Sequence, residues 1–146
     1  VADQAEGLTV LSVQELSDRF EIQDLIARYS QLLDLRAWDA MDALFADDCV
    51  LDYTATGALV GTWPEHKAYN AKVLTGFQGT QHVMGLPMIV VDGDTATART
   101  ICFNPMVVDA KRVFFVGLWY DDALVRTATG WRFAGRVEQL SYFHNL

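Results

Sequence analysis

Leu33-Asp34-Leu35-Arg36-Ala37-Trp38-Asp39, continuing through Ala40 to Phe45 and into Cys49-Val50-Leu51-Asp52-Tyr53, decides how this chain of 146 residues folds. The stretch runs off the end of a long amphipathic helix, through a short second helix, Ala40 to Phe45, into a strand, Cys49 to Tyr53. The period of two along a strand puts Cys49, Leu51 and Tyr53 on one face, with Val50 and Asp52 on the other. Asp34 is the anomaly. It lies beside the apolar side of the first helix, near Ile26, Ser30 and Leu33, where an unpaired carboxylate is costly. A partner must come from elsewhere in the chain.

Upstream, Ser12-Val13-Gln14-Glu15 reads as a capping box, with Ser12 bonding forward and Glu15 bonding back. Leu16, Phe20, Ile26, Tyr29 and Leu33 then form an apolar stripe at helical spacing. Residues 1–11 read as a flexible arm. Downstream, Thr62-Trp63-Pro64-Glu65 is a second capping box with proline in the first turn, which predicts a third helix from about Trp63 to Leu74. Gly76 and Gly79 end it.

From there the chain alternates or is apolar on both faces. Gln81 to Val91 reads as a strand, Asp92-Gly93-Asp94 as a tight turn, and Thr95 to Met106 as the returning strand. Lys111 to Thr127 is a long strand, turned at Ala128-Thr129-Gly130, and Trp131 to Phe143 returns. Helices first, then a meander of long antiparallel strands, describe an α+β domain with its helices gathered on one face of the sheet. The length fits one domain over residues 1–146.

With 51% of residues apolar and 12% aromatic, the chain is built to bury a core rather than to stay disordered. The net charge of −8 argues against a nucleic-acid or anionic-membrane partner, both of which call for a basic face. No apolar run approaches the ~18 residues of a membrane span. Val1 to Gly7 has neither the basic nor the apolar region of a signal peptide. Cys49 and Cys102 form no CxxC pair, and both fall in strand-like apolar runs, so buried free thiols and a cytoplasmic location are expected. Val113-Phe114-Phe115-Val116-Gly117-Leu118-Trp119-Tyr120 is apolar on both faces. One face covers the helices, and the other calls for a partner subunit, so a homo-oligomer is expected, a dimer or trimer.

The chain has three histidines. His66, on the third helix beside Glu65 and Lys67, is expected to be exposed, and His144 is near the C-terminus. Neither has a companion at metal-ligand spacing, so no metal site is expected. His82 starts a strand whose same-face neighbours are Thr80, Met84, Leu86 and Met88. If the first helix packs on the sheet face that holds Tyr53 and His82, then Asp34, His82 and Tyr53 converge in an apolar pocket. Asp34 would fix the tautomer of His82 and free its other nitrogen as a general base. Tyr53 would donate to an oxygen where charge develops. The chain lacks a Gly-x-Ser-x-Gly elbow, a phosphate loop and a dinucleotide fingerprint. Proton transfer without a cofactor is the chemistry that is left, and plain ligand binding or a scaffold role are the alternatives.

The run Asp34-x-x-x-Trp38-Asp39, then Leu51-Asp52-Tyr53, then His82, then Gly130-Trp131-Arg132-Phe133-Ala134-Gly135 resembles the SnoaL-like branch of the nuclear-transport-factor-2-like superfamily. Within it the likeness is strongest to the scytalone dehydratases, with the hexachlorocyclohexane dehydrochlorinases as relatives. The resemblance implies a cone of curved antiparallel sheet, about six strands, closed by three helices from the N-terminal half. In the dehydratase pattern the positions of Asp34 and His82 hold the base dyad, and that of Tyr53 polarises the substrate oxygen. The pocket is expected to be lined by Leu33, Tyr29, Trp38, Met84, Asn104, Met106 and Tyr120. Two positions depart from the pattern. A second tyrosine is replaced by Leu33, and a second pocket histidine falls near Met106 or Asn104. These departures imply a small, largely apolar cyclic substrate. An Asp-Arg-Asp epoxide-hydrolase set would need Arg99 and Asp52, but Asp52 is on the face opposite Tyr53. The implied activity is a cofactor-free lyase, dehydratase or isomerase, with a non-catalytic binding protein of the same fold as the alternative.

Overall fold

The structure is a computed structural model that describes residues 10–146. Most of the expected arm, residues 1–9, lies outside the described residues. Helix α1 spans Val13–Asp34, and the Ser12 hydroxyl caps it by accepting the backbone N–H of Glu15 at 3.1 Å. The reciprocal half of that capping box does not form. The Glu15 carboxylate turns instead to Arg19, 3.0 Å away. The buried stripe is Asp18, Ile22, Leu25, Ile26, Tyr29 and Leu33. Leu16 and Phe20, expected in the stripe, are 43% and 65% exposed. They lie two residues from Asp18 and Ile22, more than half a turn round the helix.

The end of α1 fixes the direction of Asp34. The N–H of Ala37 bonds the carbonyl of Leu32 at 2.9 Å, and that of Arg36 bonds Leu33 at 3.0 Å. This is a Schellman closure with Arg36 in the left-handed region, at φ 55°. The Arg36 guanidinium donates to the carbonyl of Phe77, which ties the strained turn to a segment 41 residues further on. Helix α2, Trp38–Met41, continues as a 3₁₀ turn, Asp42–Leu44, and leads into β1, Phe45–Asp52. After a second 3₁₀ turn come β2, Val60–Thr62, and α3, Trp63–Val73. At the start of α3 the Glu65 carboxylate accepts the N–H of Thr62 at 2.7 Å, as its capping box predicts.

The remaining strands are β3 (Gly79–Thr80), β4 (Val83–Met84), β5 (Met88–Asp92), β6 (Thr95–Asp109), β7 (Arg112–Thr127) and β8 (Gly130–His144). The sheet order is β2-β1-β8-β7-β6-β3, with β4 and β5 also pairing β6. The meander β5-β6-β7-β8 is antiparallel as expected, but β1 lies parallel to β8, with Leu51 opposite Arg136, so the curled sheet is mixed. Bulges at Gly117/Leu118 and Ala123/Leu124 add to its curl. The single strand expected over Gln81–Val91 is broken. Gly85 lies so close to Ile101 that a Cβ would meet its Cγ2 at 2.4 Å, and Pro87 has no N–H to continue a ladder. Leu86 and Met88 are therefore exposed rather than sharing the face of His82.

The concave face of β6–β8 closes on α1. Deep in that layer Arg136 pairs with Asp122 through bonds of 2.5 and 2.9 Å, and both side chains are fully buried. The guanidinium lies 4.2 Å from the ring centre of Tyr29 and 4.1 Å from that of Tyr120. Burial opposes its charge, but Asp122 and the phenols around it hold Arg136 firmly protonated. Cys49 and Cys102 are buried free thiols, as expected, and burial pushes both up to about 12. Among the described residues no helix is long and apolar enough to cross a membrane.

The convex face leaves Ile101, Phe103 and Tyr142 exposed. Val113–Tyr120 alternates, with Val116, Leu118 and Tyr120 inward and Phe115 and Trp119 only half-buried outward.

Candidate active site

The floor and walls of the cone enclose a cavity of about 400 Å³. Tyr29 and Leu33 reach it from α1, Tyr53 from the end of β1, His82 from the segment before β4, Asn104 and Met106 from β6, and Tyr120 from β7. The Schellman closure leaves Asp34 behind His82, where one carboxylate serves three donors. His82 Nδ1 lies 2.6 Å from Oδ1, the His82 backbone N–H donates to Oδ2 at 2.8 Å, and Thr80 donates to Oδ1 at 2.9 Å. Partial burial works against the charge of Asp34, but the ring and backbone of His82 outweigh it and hold the carboxyl below its ordinary value.

With Nδ1–H directed at Asp34, the lone pair of Nε2 faces the cavity. There the amide of Asn104 donates to it, Nδ2 to Nε2, at 3.1 Å, and Asn104 Oδ1 is left without a partner. Across the cavity the phenols of Tyr53 and Tyr29 share a hydrogen bond of 2.9 Å. Burial pushes both up, Tyr53 most, so each remains a protonated donor. Tyr120 is held the same way.

A family model described as a SnoaL-like domain matches residues 14–137. This chain belongs to the SnoaL-like family. An uncharacterized protein of Mycobacterium tuberculosis is 48% identical over 132 residues, which cover 89% of this chain and 90% of that protein. Among solved structures, a protein of Novosphingobium aromaticivorans to which scytalone dehydratase activity is attributed superposes with a TM-score of 0.81. It is 22% identical, over 90% of this chain and 89% of that one. A hexachlorocyclohexane dehydrochlorinase (LinA type 2) gives a TM-score of 0.79 at 19% identity, over 90% of each chain. At such identities the likeness carries the nuclear-transport-factor-2-like fold and leaves the reaction open.

In this SnoaL-like chain, Trp38 and Met84, expected in the pocket, do not line the cavity. Trp38 packs on the core from α2, and Met84 is held in the short β4 rung against Cys102. His66, expected on the surface, is fully buried. Its Nε2 meets the carbonyl of Leu51 at 3.1 Å and its ring packs edge-on against Tyr53, 4.7 Å between centres. Burial lowers its pKa, so it supports Tyr53 as a neutral ring.

Among the described residues no group of three or more His, Cys, Asp or Glu side chains is placed to hold a metal. Sequence reasoning missed Thr56, Tyr69, Asn70, Phe77 and Glu138, all of which line the cavity. Glu138 had a signal. It is two residues from Arg136, so the two share one face of the strand and an inward Arg136 marks a second inward charge.

Proposed function

We propose that this protein is a cofactor-free lyase acting on a small, largely apolar cyclic substrate, with His82 as the general base. The observation that carries the reading is the 2.6 Å contact between His82 and Asp34 at the wall of an apolar cavity. His82 Nε2 takes a proton from carbon beside a carbonyl. The electron pair left behind forms the new double bond, and a leaving group departs from the next carbon. Asp34 stabilises the imidazolium, and Tyr53, bonded to Tyr29, donates to the oxygen on which charge gathers. A base positioned in this way is worth on the order of 10²–10⁴ in rate. Asn104 turns its amide from Nδ2 to Oδ1 as Nε2 gains its proton, so the same side chain serves both states of the ring. The protein works as a single domain in the cytoplasm and pairs with copies of itself through the exposed convex face.

The second reading is a binding protein with the same cavity. The bond from Asn104 to Nε2 favours it, because it occupies the lone pair that a base needs. A panel of cyclic β-hydroxy ketones and halogenated rings, screened for loss of water or halide, separates the two. Turnover that His82→Gln abolishes while the fold is kept supports the lyase. Saturable binding without turnover, unchanged in His82→Gln, supports the binding protein.

A further inference from the structure

The cavity has two polar poles on opposite walls. One is the Asp34–His82–Asn104 group beside β6. The other is on β8, where Glu138 lies in register with Tyr120 of β7 and is only 7% exposed, yet lines the cavity. Glu138 is two strand spacings from β6, roughly 10 Å across the sheet, and is level there with Thr100, four residues along from Asn104, so the two poles are separate groups. Leu33, Val116, Leu118 and Phe114 give the wall between them an apolar surface.

Glu138 is held in place but, among the described residues, is not paired with a cation. Thr56 donates its hydroxyl to Oε2 at 2.5 Å, and the same hydroxyl is within 3.1 Å of the carbonyl of Tyr53. The buried cation near it, Arg136, directs Nε and Nη2 at Asp122. The other titratable groups around Glu138 are Asp52 of β1, Cys102 of β6, Tyr120 of β7, and Tyr53 and Tyr29. Burial pushes the Glu138 carboxyl up to about 7, against the pull of Thr56, Arg136 and Tyr120. Near neutral pH a large share of it carries a proton, and its Oε2 is fixed by Thr56.

We propose that Glu138 is the general acid of this site, which makes the cavity one for substrates that lose a hydroxyl group as water. The proposal rests on the lyase reading of His82. Hydroxide is a poor leaving group and needs a proton as the carbon–oxygen bond breaks, whereas a halide leaves with its electron pair and needs none. In the balanced step His82 Nε2 takes the proton from carbon, the carbon–carbon double bond forms, and the carbon–oxygen bond breaks. The departing oxygen takes the proton of Glu138 and leaves as water. Glu138 ends as a carboxylate and His82 as an imidazolium, and exchange with solvent on product release restores both.

The test uses two probes of one ring, a β-hydroxytetralone and the matching β-chlorotetralone, which both give the same naphthol. With wild-type protein, kcat/KM for the hydroxy probe should fall as pH rises through about 7, where Glu138 loses its proton. The chloro probe should lack that alkaline limb. Glu138→Gln should slow the hydroxy probe at least ~10²-fold more than the chloro probe. Glu138→Asp, which keeps an acid, should recover part of that difference. Equal slowing of both probes, or no slowing of either, overturns the proposal and leaves the base dyad standing. The wild-type pH profiles need no variant, so they decide the matter even if Glu138→Gln fails to fold. If wild-type protein turns over neither probe, the lyase reading falls and this proposal falls with it.

Discussion

Asp34 holds His82 twice, the ring through Oδ1 at 2.6 Å and the backbone N–H through Oδ2 at 2.8 Å. A helix end and a strand start 48 residues apart are thereby locked as one unit. Asp34→Asn keeps the shape and can keep the backbone bond, but it removes the charge that supports the imidazolium. Turnover should drop at least ~10²-fold with the circular dichroism spectrum unchanged. Activity within a few-fold of wild type would take Asp34 out of the mechanism.

The Tyr29–Tyr53 bond is buried on both sides. Tyr29→Phe leaves the Tyr53 hydroxyl without that partner and should cost about 1–2 kcal/mol in urea unfolding, as should Tyr53→Phe. The double variant should lose less than the sum of the two, because removing both hydroxyls leaves neither one stranded. Strict additivity would mean that the two phenols do not depend on each other.

Stability in acid should follow Asp18. The two bonds from Arg126, of 2.5 and 2.8 Å, with help from Trp131 and against the effect of burial, hold its carboxyl at about 2 rather than 3.8. A carboxyl depressed in the fold stabilises fully above its unfolded value, so this contribution is present above about pH 3.8 and is lost as pH falls through about 2. Asp18→Asn should lower neutral stability by roughly 2–3 kcal/mol and flatten that acid limb in thermal melts. An unchanged acid limb would assign the pH dependence to other groups.

At Gly117 a Cβ would lie 2.2 Å from the ring of Tyr142 on the neighbouring strand. Gly117→Ala should therefore destabilise by about 1–3 kcal/mol. Adding Tyr142→Ala to it should restore much of that loss, measured as a double-mutant cycle in denaturant. A tolerated Gly117→Ala would show that the ring has room to swing away.

The convex face bears Phe103 stacked on Phe115, 5.5 Å between centres, with Ile101 and Tyr142 exposed beside them. A second copy brings the same apolar patch, and the charges at its edge, Arg99 and Asp121, are already paired with each other. Sedimentation should show an oligomer that Phe103→Glu dissociates. A wild-type monomer at micromolar concentration would remove the self-pairing.

Local spacing made much of this protein legible in one dimension. The capped helices, the two-residue hairpins around Gly93 and Gly130, and the inward row Cys49, Leu51 and Tyr53 all follow from backbone preferences and periods of 3.6 or 2. The misplaced carboxylate of Asp34 was legible too, because a charge beside an apolar stripe implies a partner.

What local spacing could not reveal depended on which segments meet. The phase of the α1 stripe, the parallel seating of β1 on β8, the break before Pro87 and the burial of His66 all arise from contacts between distant segments. The same holds for the pocket. Alternation puts Arg136 and Glu138 on one face of β8, but only the packing of α1 against the curled sheet makes that face, and Asp122 of β7 beside it, the inner one. An element's periodicity tells which of its residues share a face. Which face is covered is decided by the packing of the whole chain, because burial is a property of three dimensions.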